Sequence, residues 1–229
     1  EAKVLVEQYF GEIPRGEKVQ SLKEANAVLT EEKVIYQEDP LAPQSRVYVA
    51  WLTPPMMQEG DADLDVFSSI FAEGKDSPLV QSLVYEKQIA QSVDAFQYSA
   101  RLQGQYIITA TVAEGHTTEE VVAAIDEALT EVKANGVTAE DVEISKLNWE
   151  KRFYEGLQSI SRKADVLNSY NTHMGDPGFV QKDLERYLNV TPDSIQTAMN
   201  AHLTNNRVVL HINPPSEEAT DENASEETK

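Results

Sequence analysis

The segment from Gln91 to Val112 limits the fold more than any other part of the chain, because apolar and polar residues alternate along it. Its first half contains SVDAFQYS and leads into the turn-rich SARLQG. In its second half, one face of an extended chain would carry Tyr106, Ile108, Ala110 and Val112. This pattern predicts an antiparallel β-hairpin.

Three further runs are typical of strands: Lys33 to Glu38, Arg46 to Thr53, and Val208 to Asn213. The first two are separated by DPLAPQ, whose prolines break any helix. The run RVYVAWLT is apolar at positions on both of its faces. We therefore expect that strand to be covered on both sides or nearly so.

Helices are predicted by apolar spacing and by capping residues. Residues 61 to 71 place Leu64, Phe67 and Ile70 or Phe71 at helical spacing. Cap signals mark further helix starts at Ser77-Pro78, Thr117 with Glu120, Thr138 with Asp141, and Thr191-Pro192. The order of elements predicts an α+β fold in which helices cover one side of a mostly antiparallel sheet.

The two ends of the chain differ from its body. Residues 1–16 are interpreted as a helix left from the end of a preceding domain, and residues 17–32 as a polar connection to the body at 33–214. The final stretch, PSEEATDENASEETK, has six acidic side chains and no large apolar residue. Because it cannot offset the entropy of ordering, residues 215–229 are predicted to form a mobile acidic tail or linker.

The first segment has an apolar face of its own. Leu5 and Tyr9, like Val6 and Phe10, are four residues apart, which places each pair on the same side of a helix. A short helix without a packing surface is marginal in water. We expect it to dock either on the body or on another copy of the chain, and the long polar connection favours self-association.

Acidic side chains outnumber basic ones by 39 to 19, which gives a formal net charge of −20. Such a surface repels phosphate backbones and anionic lipids, so nucleic acid and membrane surfaces are poor candidate partners. No apolar run is long enough to insert through a bilayer. The absence of cysteine excludes disulfides and thiolate metal sites, and it is compatible with a periplasmic or secreted protein.

No catalytic motif is found among the residues that could carry chemistry. With no cysteine and no G-x-S-x-G sequence, acyl transfer by serine or cysteine has no support. A helical zinc pair needs histidines three or four residues apart, whereas no two of the four histidines lie within eight residues of each other. We interpret all of them as surface or structural residues: His116, His173, His202 and His211.

Two acidic segments are alternatives for a metal site. HMGDP could present His173 and Asp176 to a metal, but Gly175 and Pro177 favour a helix end there. The segment DADLD at 61–65 lies at a helix start, where its carboxylates interact favourably with the helix dipole and are expected to stay solvated. The residues alone therefore predict a globular domain with no catalytic residues and no metal site.

The segment SPLVQSLVYEKQIAQSVDAFQYSARLQGQYIITATV, preceded by VAWLTPP and FAEGKD, resembles the second domain of a half-unit in the pitrilysin/insulinase family of zinc peptidases. Further matches are EQYFGEIPRG, TTEEVVAAIDEALTEVKANGVTAEDVEISKLNWE and KADVLNSYNTHMGDPGFVQKDLERYLNVTPDSIQ. Together they cover nearly all of residues 1–214. The resemblance implies a metallohydrolase-like domain of the processing-peptidase type.

In that family two halves close around a peptide, and the first domain binds zinc through H-x-x-E-H and a distal Glu. This chain has no such motif. The resemblance therefore implies an accessory domain that binds no zinc. By the same resemblance, this domain is expected to form part of the peptide-enclosing chamber of a zinc metalloendopeptidase, with zinc in the catalytic domain of the parent. The implied partners are the other domains of that parent and its peptide substrate.

Val84 and Gln91 stand where the family has an Arg and a Tyr that bind substrate and stabilise the reacting carbonyl. Valine has no polar group and glutamine is shorter and neutral, so neither can donate as the family pair does. This departure suits the copy attached directly to the catalytic domain, and equally a scaffold copy. Two alternatives stay open: a structural subunit of the same fold without proteolysis, and an acidic binding module unrelated to peptidases.

Overall fold

The computed structural model describes residues 1–17, 19–20 and 27–215. Within them, five strands form one sheet in the spatial order β1-β5-β2-β4-β3. Their bounds are β1 Lys33–Glu38, β2 Arg46–Thr53, β3 Ala90–Tyr98, β4 Gly104–Val112 and β5 Val208–Asn213. Strands β1 and β5 run parallel, and the other neighbours are antiparallel. The predicted α+β class with a mostly antiparallel sheet is confirmed.

One helix precedes β1, and the other helices lie between β2 and β3 and between β4 and β5. Their bounds are α1 Ala2–Phe10, α2 Asp61–Ala72, α3 Pro78–Val80, α4 Thr118–Asn135, α5 Ala139–Gly156, α6 Ile160–Met174, α7 Val180–Leu188 and α8 Pro192–His202. A π-helical segment, Gln81–Glu86, continues α3, and a 3₁₀ turn, Pro177–Phe179, precedes α7. No described helix is both long and apolar enough to cross a bilayer.

Side-chain capping hydrogen bonds form at three of the four predicted helix starts, Thr117, Thr138 and Thr191, whereas Ser77 precedes α3 without one. The side chains of Thr117 and Thr138 each accept a hydrogen bond from the backbone N–H of the residue three positions on. In turn, the carboxylates of Glu120 and Asp141 accept hydrogen bonds from the backbone N–H groups of these threonines. Such capping boxes satisfy backbone N–H groups that the first turn of a helix leaves unpaired. Helix α4 ends at Asn135, and the next residue, Gly136, has a φ of +73°, which is costly for residues with a Cβ.

The core lies between one face of the sheet and helices α2, α4 and α8. Trp51 of β2 and Phe67 of α2 both pack against Tyr106 of β4, with ring centroids 6.2 Å and 5.8 Å apart. All three side chains are buried. Burial of aromatic surface of this size is the main force that holds the helical layer on the sheet.

The expectation that β2 is covered on both sides or nearly so is met on one face, and the other face is only partly covered. Val47, Val49, Trp51 and Thr53 are buried, whereas the residues that alternate with them are only partly buried. Val47, Val49 and Trp51 share one core with the buried residues of α2, α4 and α8. The second apolar face of this strand is therefore partly open to solvent in the described chain.

Parts of the predicted ends cannot be compared with the structure. Of the acidic tail predicted at 215–229, every residue after Pro215 lies outside the described residues. The same holds for Lys18 and residues 21–26 of the predicted connection.

The predicted helix at the start of the chain is present as α1, and none of its residues is buried. Val4, Tyr9 and Phe10 expose 64%, 70% and 62% of their surface. The alternative in which α1 docks on the body is thus not the arrangement in this structure. Association through α1 stays a prediction.

Removing residues 1–16 should lower the molecular mass that light scattering reports. The full chain is expected to sample masses above its 25.5 kDa monomer, because association buries the exposed apolar face of α1. A double variant, Leu5→Glu with Tyr9→Glu, keeps the length and should behave as the truncated chain. Equal masses for all three proteins would show that α1 drives no association.

Candidate functional site

The sheet has one face that the described helices leave uncovered. On β2 to β5 it consists of the side chains that alternate with the buried ones, and on β1, whose residues are all exposed, of the side chains that pair with them in register. We call this the open face and define it by its apolar members: Ile35, Tyr48, Ala50, Leu52, Phe96, Tyr98, Ile107, Val208, Leu210 and Ile212. The register aligns Tyr48 with Leu210 on one side and with Thr109 on the other, so these side chains form one continuous surface.

The open face is apolar at its centre and exposed at its edges. Phe96 and Tyr98, on the edge strand β3, expose 41% and 58% of their surface, and Ile35 on β1 exposes 47%. Charged residues lie at its margin, with Arg46 at the start of β2 and Asp94 on β3. A contiguous apolar surface with polar groups around it is typical of a site that binds another protein or a ligand.

The two substituted family positions lie in neighbouring elements. Val84 belongs to the π-helical segment and packs, partly buried, against the core. Gln91 is exposed at a bulge of β3, where Ala90 pairs with Val112 and Ser92 already pairs with Thr111. Bulges re-aim side chains at sheet edges and next to functional sites. Whether the two residues are catalytically silent stays a prediction.

The four histidines occupy four separate environments. His211 is buried on β5 and stacks on Tyr36 with ring centroids 4.4 Å apart. His116 Nδ1 lies 3.2 Å from Glu120 Oε2, His202 is partly buried, and His173 is exposed. Burial lowers the pKa of His202 and of His211, because it disfavours the charged imidazolium.

The donor set does not fit zinc. Among the described residues, no group of three or more His, Cys, Asp or Glu side chains is arranged to hold a metal ion. The segment HMGDP forms a helix end, as predicted: α6 stops at Met174, and Gly175 follows with a φ of +70°. A zinc ion therefore has no ligand set in the described part of this chain.

The expectation that the carboxylates of DADLD stay solvated is wrong for Asp61 and Asp65. Asp61 is 1% exposed. Its Oδ2 accepts hydrogen bonds from Met57 N at 2.8 Å and from Arg186 at 3.2 Å, and its Oδ1 accepts one from Ser99 Oγ at 2.5 Å. The charge is tolerated inside the protein because these donors replace water.

Asp65 lies one turn further along α2 and has no cationic partner at contact distance in the part of the chain that the structure describes. Tyr187 donates a hydrogen bond to its Oδ2 at 2.7 Å. Burial raises the pKa of Asp65 to about 7, against the smaller opposing effect of the Tyr187 hydrogen bond. The hydroxyl of Tyr106 is buried nearby and has no hydrogen-bond partner among the described groups.

Helix α7 supplies the rest of this buried network. Arg186 donates to Asp183 Oδ1 at 3.0 Å and 2.7 Å, and Tyr170 of α6 donates to Asp183 Oδ2 at 2.6 Å. One arginine thus contacts both Asp61 and Asp183. We call Asp61, Asp65, Asp183, Arg186 and Tyr187 the acid cluster. It fixes α7 against α2 on the side of the domain away from the open face.

Sequence reasoning missed the acid cluster because its members are far apart in the chain. Arg186 follows Asp61 by 125 residues. The local signal at Asp61 is a helix N-terminus, where acidic residues are favourable whether they are solvated or buried. That signal therefore does not reveal that this carboxylate is buried. A stronger signal is the apolar sequence around these acids. Ala62 and Leu64 alternate with them and Val66 follows them, and all three are core residues.

Comparison with known sequences identifies one matching family. A sequence profile described as the Peptidase M16 inactive domain matches residues 1–148. Among curated proteins, no sequence shows a significant match.

Comparison with solved structures identifies the same architecture. A protease from Helicobacter pylori superposes with a TM-score of 0.81 at 16% identity over 93% of this chain and 52% of its own. A peptidase M16 inactive domain from Pseudomonas fluorescens gives 0.74 at 17% identity, covering 94% of this chain and 50% of its own. The periplasmic protease PqqL from Escherichia coli gives 0.71 at 15% identity, covering 93% and 24%. This chain therefore spans about half the length of the first two structures.

Proposed function

Because the chain belongs to the M16 peptidase family as an inactive domain, we propose that it serves as an accessory domain of a zinc metalloendopeptidase. The open face of this domain would then form part of the wall of the peptide chamber. In this proposal, zinc is held by the catalytic domain of the parent protein. The partners of this chain are the other domains of that parent and the peptide it encloses. The observation that carries the proposal is the uncovered apolar face of the sheet.

The dimensions of the open face suit an unfolded peptide. Five strands about 4.8 Å apart span roughly 19 Å, which is the length of about six residues of extended chain. Its apolar centre can bury peptide side chains of many types without selecting a particular one. A wall that contacts diverse peptides needs this kind of unspecific apolar surface.

The remaining chemistry supports an accessory rather than a catalytic role. The described histidines and acids form no zinc ligand set, and Val84 and Gln91 lack the donors of the family pair. A periplasmic or secreted location is part of the proposal. It is supported by the absence of cysteine and by the periplasmic location stated for the similar Escherichia coli protease.

Site-specific photo-cross-linking tests the chamber wall. A photoreactive residue replaces Ile107, at the centre of the open face, in the intact parent protein. The matched control carries it at Ile144, which is 53% exposed on α5 on the helical side. With zinc removed by a chelator to slow cleavage, a fluorescent unfolded casein fragment should form adducts at position 107 and few at 144.

Two other outcomes count against this proposal. Equal adducts at positions 107 and 144 would show that the open face has no special contact with peptide. Absence of adducts at both positions, together with no chelator-sensitive cleavage by the parent, would favour a structural scaffold of the same fold.

Gln91→Ala should change the turnover of the parent peptidase less than about tenfold. A side chain that makes no contact with the transition state removes nothing from its stabilisation when it is truncated. Turnover of a quenched fluorescent peptide measures the effect, and a thermal melt confirms that the variant is folded. A loss of more than about a hundredfold, equal to roughly 2.7 kcal/mol of barrier, would assign Gln91 a role in the reaction.

A further inference from the structure

A cavity of about 370 Å³ lies within the helical layer, away from the open face. Residues of α2, α5, α6 and α7 line it, and four aromatic rings form much of its wall: Trp149, Phe153, Tyr170 and Tyr187. The volume equals that of about twelve water molecules at ~30 Å³ each. A cavity of this size with aromatic walls is typical of a small-molecule site.

The charges at the cavity favour an anion. Arg152 lines it but is paired with Glu73 at 2.8 Å, and Asp183 is paired with Arg186 at 2.7 Å. Arg162 also lines it, is exposed, and belongs to none of the ion pairs of the described residues, although Asp165 follows it by one turn. The uncompensated charge at the cavity is therefore the guanidinium of Arg162.

Local backbone geometry brings Arg162 to the cavity. Ser159 caps α6 by accepting a hydrogen bond from the backbone of Arg162, which places this residue in the first turn. Its side chain lies over Gly156 at the end of α5, where a Cβ would be 3.4 Å from Arg162 Nε. The glycine leaves space for the guanidinium at the cavity wall.

We propose that this cavity binds a small amphipathic anion, an aromatic ring that carries a single carboxylate. The ring packs among Trp149, Phe153 and Tyr170, where offset or edge contacts between aromatic groups are favourable. The carboxylate pairs with Arg162, whose planar guanidinium can donate two parallel hydrogen bonds. This site is independent of the proposed accessory function.

Nuclear magnetic resonance of the two tryptophan indoles tests the site. The probe is 3-phenylpropionate, and its neutral amide, 3-phenylpropionamide, is the matched ligand control. The indole N–H signal of Trp149, assigned with Trp149→Phe, should shift saturably with the acid, and that of Trp51 in the core should not. With about eleven heavy atoms, the acid is expected to bind with a Kd on the order of millimolar.

Two comparisons isolate the role of Arg162. Arg162→Gln and the amide ligand should each weaken binding about fivefold or more, and Lys163→Gln, an exposed neighbour outside the cavity lining, should leave it unchanged. Equal binding of acid and amide, wild-type affinity of Arg162→Gln, or no saturable shift of the Trp149 signal would each overturn the proposal.

The same chemistry is presented by a free aromatic acid and by a peptide that ends in phenylalanine. A third titration, with the tripeptide Gly-Gly-Phe, distinguishes these sources. Tighter binding of the free acid assigns the cavity to small metabolites, and tighter binding of the tripeptide assigns it to peptide C-termini. Binding of neither ligand counts against the site.

Discussion

Asp65→Asn is expected to stabilise the protein at pH 8, although it replaces a residue of a buried hydrogen-bonded cluster. Burial raises the pKa of Asp65 from 3.8 to about 7, so the folded protein holds a proton that the unfolded chain releases. Above pH 7 the folded state must carry this carboxylate as an ion. Asparagine stays neutral at every pH, and its amide oxygen can still accept the hydrogen bond from Tyr187.

The direction of the pH dependence follows from proton linkage. Between pH 4 and 7 the folded state binds more protons at Asp65 than the unfolded state, so the free energy of unfolding falls as the pH rises. The stability that protonated Asp65 contributes is present below its unfolded pKa and is lost as the pH passes its folded pKa. The difference between 3.8 and about 7 corresponds to roughly 4 kcal/mol at 1.36 kcal/mol per pH unit.

The groups that face Asp65 act in both directions. Asp61 and Asp183 raise its pKa, whereas Arg186 and the hydroxyl of Tyr187 lower it. Burial outweighs them, and no cation lies at contact distance from Asp65 among the described ion pairs. Asp65 is therefore the member of the acid cluster whose neutralisation should stabilise the folded protein most.

Urea unfolding of the wild type and of Asp65→Asn at pH 4.5 and pH 8 measures this effect. The free energy of unfolding of the variant should rise by several kcal/mol relative to the wild type between the two pH values. A thermal melt would show this as a change in Tm on the order of 10 °C. Asp94→Asn, which removes one exposed charge from the open face, is the control and should show no such trend. An identical difference between Asp65→Asn and wild type at both pH values would contradict the prediction.

Local signals in the sequence predicted the strands and the helix starts. Lys33 to Glu38, Arg46 to Thr53 and Val208 to Asn213 are strands with the predicted bounds, and the boxes at Thr117 and Thr138 are formed. These features depend on alternation and on contacts between residues three positions apart. Both are properties of the sequence itself.

Features that depend on distant partners were not predicted. The parallel pairing of β1 with β5 joins Lys33 to Val208, and no local pattern encodes it. The apolar second face of β2 predicted a covering layer, which the described chain does not supply. That difference is informative, because a strand that is apolar on both faces but covered on one indicates a surface that binds something outside this domain.

Arg186→Gln should destabilise the protein by about 3 to 5 kcal/mol. The substitution leaves the buried Asp61 and the partly buried Asp183 with no cation between them, and an uncompensated buried charge is among the costliest defects in a protein. Arg152→Gln is the matched control. It breaks an arginine pair whose members, Arg152 and Glu73, are 44% and 52% exposed, and its cost should stay below about 1 kcal/mol.

A triple variant separates the loss of the arginine from the charge that it leaves behind. Combining Arg186→Gln with Asp61→Asn and Asp183→Asn neutralises all three groups. Asparagine keeps the shape of aspartate, whereas glutamine is shorter than arginine. If stranded carboxylates cause the loss, the triple variant should recover most of it, since neutral replacement of a complete buried ionic set costs little. Urea unfolding at pH 8 measures the free energies of unfolding of the triple variant and of Arg186→Gln. A triple variant no more stable than Arg186→Gln would mean that the arginine holds α7 on α2 through packing of its side chain rather than through its charge.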